Sequence, residues 1–135
     1  MAVPKVRVEN RSTHAVFIEG DPNWDDQVLL VSGKALRGSH EVGKGSRATI
    51  SQRGWGEEGD VNMMGVIFSD SPHSDGPGAG SYQLTIGQNP NLGVTDSFSW
   101  GEPRVAYTVN DQTPWSMTMT FADAAATQGE PANGS

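Results

Sequence analysis

Two tryptophans sit among carboxylates in segments that read as loops: Gly20-Asp21-Pro22-Asn23-Trp24-Asp25-Asp26 and Arg53-Gly54-Trp55-Gly56-Glu57-Glu58-Gly59-Asp60. An indole face stacks on a sugar ring or settles at a lipid headgroup boundary, and neighbouring carboxylate oxygens orient the polar part of such a ligand. The residues expected to bind a ligand are therefore Trp24, Asp25, Asp26, Trp55, Glu57 and Glu58. The competing reading has both indoles covering the open ends of the fold, with the acids solvated around them. Two further glycine- and proline-bearing loops, 69–80 and 87–93, complete the set.

Other chemistries are weakly supplied. No cofactor is expected beyond a calcium ion. A hard cation needs six to eight oxygens, and Asp25, Asp26, Glu57, Glu58, Asp60, Asp70 and Asp75 offer them only if their loops meet at one end of the domain. No segment has the spacing of an EF-hand loop. His14, His40 and His73 are far apart in sequence, which argues against zinc or copper. The chain has no cysteine, so disulfides, thiolate ligands and a cysteine nucleophile are excluded together. It lacks the Gly-x-Ser-x-Gly elbow of a serine hydrolase. The glycine-rich run 74–80 lacks the lysine and the following helix of a phosphate loop. Paired acids such as Glu57 and Asp96 leave a carboxylate-dependent hydrolase as the least favoured reading.

These residues must be carried by strands. Trp115-Ser116-Met117-Thr118-Met119-Thr120-Phe121 alternates apolar and hydroxyl side chains, as a half-buried strand does. Lys5-Val6-Arg7-Val8-Glu9 and Arg47-Ala48-Thr49-Ile50-Ser51 alternate in the same way. A weak strand is expected over 35–41, and 61–69 is apolar on both faces, as a central strand would be. With glycines and prolines as punctuation, about ten short strands result. The expected fold is all-β, an antiparallel β-sandwich of about eight to ten strands over residues 1–121, with a disordered tail over 122–135. Its core should draw on Val6, Val8, Phe17, Ile50, Ile67, Phe68, Leu84, Phe98, Tyr107, Met117, Met119 and Phe121. Trp100 and Trp115, both on alternating segments, should also be buried.

The net charge of −7 is unevenly spread: residues 1–53 carry eight of the nine Lys and Arg, whereas 54–135 carry Arg104 against ten acids. The overall field repels polyanions, so nucleic acid is not an expected partner. Whether Lys5, Arg7, Arg11 and Arg47 meet as one small patch depends on the fold. The N-terminus has no apolar leader, which predicts cytoplasmic residence or leaderless secretion. No apolar run nears the roughly 18 residues that span a bilayer as a helix.

Four stretches follow one another along the chain: Val6-Arg7-Val8-Glu9-Asn10, then Gly45-Ser46-Arg47-Ala48-Thr49-Ile50-Ser51-Gln52-Arg53-Gly54, then Gly65-Val66-Ile67-Phe68-Ser69-Asp70, and finally Ser97-Phe98-Ser99-Trp100-Gly101. Their order resembles that of the aegerolysins. Actinoporin-like cytolysins share the plan. The resemblance implies a small acidic all-β protein that binds membrane lipid, some members permeabilising membranes with a larger partner; it implies no role for a particular residue. Together these readings predict a non-enzymatic module that recognises membrane lipid or carbohydrate. The alternative is an assembly protein forming homo-oligomers by strand-edge or sheet-face contacts.

Overall fold

A computed structural model describes residues 4–22, 28–52, 63–72, 80–88 and 90–124. Among them are eleven strands and no helix: β1 (Lys5–Asn10), β2 (Val16–Gly20), β3 (Leu29–Val31), β4 (Lys34–Ala35), β5 (His40–Val42), β6 (Arg47–Gln52), β7 (Met63–Ser69), β8 (Ser81–Gln88), β9 (Leu92–Trp100), β10 (Val105–Thr113) and β11 (Ser116–Asp123). They form a six-stranded sheet, β10-β11-β1-β6-β3-β4, and a five-stranded sheet, β5-β2-β7-β8-β9. The all-β sandwich expected from the alternation is the fold observed. The pairing is antiparallel except where β1 runs parallel to β11 (Val6 opposite Met117, Val8 opposite Met119). The segment 35–41 is two strands rather than one. Gly38 takes φ +66° between them, a conformation that turns the chain from one sheet to the other at low cost only for glycine.

The alternating side chains close over a shared core. Val6, Val8, Ile50, Met117, Met119 and Phe121 meet Val16, Ile18, Met64, Val66, Phe68, Leu84 and Ile86. The Phe68 and Phe121 rings, one from each sheet, are 5.0 Å apart. Each such side chain contributes roughly 1.5–3 kcal/mol by leaving water. At one edge Asn10 of β1 stitches the sheets: its amide donates to the carbonyls of His14 (2.7 Å) and Val42 (2.9 Å), while its oxygen accepts from the Ser12 amide and hydroxyl. At the other edge Tyr82 donates its hydroxyl to the Val105 carbonyl at 2.7 Å. Burial, then the neighbouring Tyr107 and Asp70, pushes the Tyr82 pKa above its ordinary 10.0.

Several core expectations need correction. Phe17 is half-buried on the outer face, because Val16 and Ile18 hold the inward phase of β2. Ile67 is buried as expected, on the face of β7 opposite the phase of Val66 and Phe68 and outside the cluster between the sheets. Tyr107 is only partly buried, packed against the core. Trp115 is 41% exposed because it lies in the two-residue turn between the paired Thr113 and Ser116, where alternation no longer constrains it. Trp100 is half-buried and Phe98 is 61% exposed. β11 continues to Asp123, past the expected domain boundary at residue 121.

Candidate functional site: an aromatic pair turned outward by a bulge

The expected ligand residues Trp24, Asp25, Asp26, Trp55, Glu57 and Glu58 lie outside the described residues. The strand ends that flank them are described. Leu29 pairs with Gln52, and Gly20 runs beside Val66 toward the start of β7. These ends share one pole of the sandwich with the β8–β9 and β10–β11 turns. There Gln88 donates through its side-chain amide to the Pro114 carbonyl, and Gln112 donates to the Leu92 carbonyl at 3.1 Å. The exposed Trp115 is at this pole. Asp70 is at the other end of β7, and the seven residues of that strand separate the poles by roughly 20 Å.

A different aromatic site is present on β9. This strand starts with Leu92 and Val94 facing inward, Val94 opposite Ile86. Continued alternation would send Asp96, Phe98 and Trp100 into the core. The ladder instead resumes with Asp96 opposite Thr85, leaving Thr95 as an extra residue. Such a bulge inverts every later side chain. Ser97 and Ser99 therefore take the inner phase, opposite Leu84 and Tyr82, while Phe98 and Trp100 point outward, opposite Gln83 and Ser81. The Thr95 hydroxyl donates back to the Thr85 carbonyl at 3.3 Å and ties the bulge to its partner strand.

On the outer face the Phe98 and Trp100 rings are 5.8 Å apart with a 38° tilt. Beside Phe98, Gln83 donates its amide to Asp21 Oδ2 at 2.6 Å, and Asp21 in turn donates its main-chain amide to the Gly65 carbonyl at 3.2 Å. Gln83 is thereby fixed next to the ring, and Asp96 lies on the same face two residues along β9. The strands of this sheet contain Glu19, Glu41 and Asp96 and no lysine or arginine. The surface thus offers π-faces, an oriented amide and carboxylate acceptors to a neutral ligand rich in hydroxyl donors. Sequence reasoning placed both rings in the core because a bulge leaves no mark in the alternation on either side of it.

Among the described residues no group of three or more His, Asp or Glu side chains is placed to hold a metal. No protein-family model matches the chain, no curated protein is found as a relative, and no solved structure matches its fold.

Proposed function

We propose that this protein is a non-enzymatic recognition module for neutral carbohydrate, bound on the outer face of β9. The observation that carries the reading is the bulge-driven exposure of Phe98 beside Trp100, with the Gln83–Asp21 pair fixed next to the ring. A sugar presents an apolar C–H face to an aromatic ring and hydroxyls to amide and carboxylate groups. The absence of lysine and arginine from these strands disfavours an anionic ligand there. Membrane lipid, the ligand implied by the aegerolysin-like order of features, is the rival. Tryptophan fluorescence titrated with neutral oligosaccharides, phosphatidylcholine vesicles and vesicles carrying a neutral glycolipid separates the two. Glycan or glycolipid saturation that Phe98→Ala abolishes supports the proposal. Equal response to plain vesicles, or glycan binding unaffected by Phe98→Ala, defeats it.

A second reading is favoured by the free edges. β9 and β10, nine residues each, are the longer margin of each sheet; beyond the Gln112–Leu92 contact that joins them their residues are mostly exposed, and each carries one charged side chain. Long, weakly charged edges are templates for strand pairing. Light scattering across a concentration series tests it: a mass that rises toward a dimer supports pairing, and a constant monomer mass rejects it.

A further inference from the structure

The basic residues of the N-terminal half converge on one surface. On the outer face of the six-stranded sheet, β1 presents Lys5 and Arg7, and β6 presents Arg47 opposite Glu9. Lys5 and Arg7 are about 7 Å apart along the strand, and Arg47 sits on the diagonal from Arg7 at about 7–8 Å. All three are exposed. Among the described residues none of them is in an ion pair, whereas Glu9, the acid between them, is held by Arg11 at 3.0 Å. Hydroxyls fill the intervening positions. Thr49, half-buried, flanks Arg7 on one side and Ser116 lies beside Lys5, whereas Thr118 on the other side of Arg7 is buried and out of a ligand's reach.

We infer that this face binds a sulfated glycan, at a second site separate from the aromatic pair on β9. Guanidinium groups pair with two oxygens of an oxyanion at once, and adjacent hydroxyls donate to the remaining ones. Three unpaired cations at roughly 7 Å spacing suit a polymer that repeats its anionic groups. Other polyanions fit less well. The outward residues of these strands include no aromatic or large apolar side chain. The exposed ring beside the patch is Trp115, in the β10–β11 turn, whose carbonyl accepts from the Lys5 amide at 3.0 Å, and it offers a nucleobase or a phospholipid surface a single contact. Three cations are also few for a duplex. The chain's own excess acid, spread over the opposite sheet and elsewhere, repels a long polyanion and favours a short cationic footprint.

The test is calorimetric titration of the full chain with a heparin hexasaccharide at about 50 mM and about 200 mM salt. The expected result is saturable binding at the lower salt that weakens at least about tenfold at the higher. Arg7→Ala with Arg47→Ala should lower affinity at least about tenfold, and the corresponding lysine pair, which keeps the charge but loses the bidentate fork, should lower it by a smaller factor. Phe98→Ala should leave the titration unchanged, which separates this site from the one on β9. Thermal melts confirm that the surface variants fold. The inference is overturned by absence of binding at low salt, by an alanine pair that binds like the parent, or by equal affinity for a dextran fragment or a DNA duplex.

Discussion

Asp70 and Arg104 hold each other from both sides: the Arg104 amide donates to Asp70 Oδ2 at 3.1 Å, and the Arg104 guanidinium donates to the Asp70 carbonyl at 3.1 Å. Asp70 follows β7 in the five-stranded sheet and Arg104 precedes β10 in the six-stranded one, so the pair clamps the two layers at one pole. The Asp70 carboxylate also accepts from the Gly80 amide at 3.1 Å. Its side chain is 3% exposed, while that of Arg104 is 58% exposed. The main-chain donors therefore matter more than the screened ion pair.

Removing that carboxylate orphans two amides. Asp70→Ala should lower the unfolding free energy by about 3 kcal/mol, and Asp70→Asn, which keeps one acceptor, by about 1–2 kcal/mol. Urea denaturation with an unchanged m-value is the measurement. An alanine variant within about 0.5 kcal/mol of the parent would show that the clamp is ornamental.

At the same pole Gly80 runs against the backbone of the β9–β10 connection. A Cβ built there would lie 2.3 Å from Pro103 Cα and 2.4 Å from its nitrogen. Backbone cannot step aside, so Gly80→Ala should cost about 3 kcal/mol or prevent folding. Gly93 supplies the control. Its added Cβ meets the side-chain nitrogen of Gln112 at 2.7 Å, a group that can swing away at the loss of one hydrogen bond, so Gly93→Ala should cost about 1 kcal/mol. Similar melting temperatures for the two variants would contradict this distinction.

The acid limb of stability should carry a contribution from Asp123. The Thr13 amide donates to its Oδ1 at 2.8 Å, and the Thr13 hydroxyl reaches both carboxylate oxygens at 3.0 Å. The amide bond is the main cause holding the Asp123 pKa below its ordinary 3.8, against a smaller upward push from burial. A depressed folded-state pKa favours the native state above the unfolded value and loses that contribution as pH falls through the folded value. Asp123→Asn should therefore flatten the stability profile below about pH 4. Thr13→Ala, which keeps the amide, should leave an NMR midpoint for Asp123 still below 3.8. A midpoint at or above that value refutes the assignment.

The legibility of the fold in the sequence depended on the length of unbroken alternation. β1, β6 and β11 keep one phase throughout, so Val6, Val8, Ile50, Met117, Met119 and Phe121 were identified as core from their spacing. β7, apolar on both faces, is the middle strand of its sheet, as a central strand should be. The candidate site was not legible. Period two says that neighbours differ, but which set faces the core is fixed by pairing, and one unpaired residue reverses it. Phe17 was misplaced for a related reason: both phases of β2 offer apolar side chains, and the choice is made by β7, which sets Ile18 against Phe68. Trp115 was misplaced because its alternation runs into a turn.

That reversal gives the sharpest test, because the two assignments of Phe98 predict opposite outcomes. A phenylalanine in the core costs about 3–5 kcal/mol when cut to alanine, and Phe121, fully buried against Phe68 and Tyr107, should show that loss. Phe98, 61% exposed on the outer face, should tolerate serine within about 0.5 kcal/mol. The same substitution removes the stacking surface, so the variant should keep its cooperative melt while losing its response to oligosaccharide. Chemical denaturation and fluorescence titration of one sample read both effects. A Phe98→Ser protein destabilised as severely as Phe121→Ala would return the ring to the interior and abolish the proposed binding face with it.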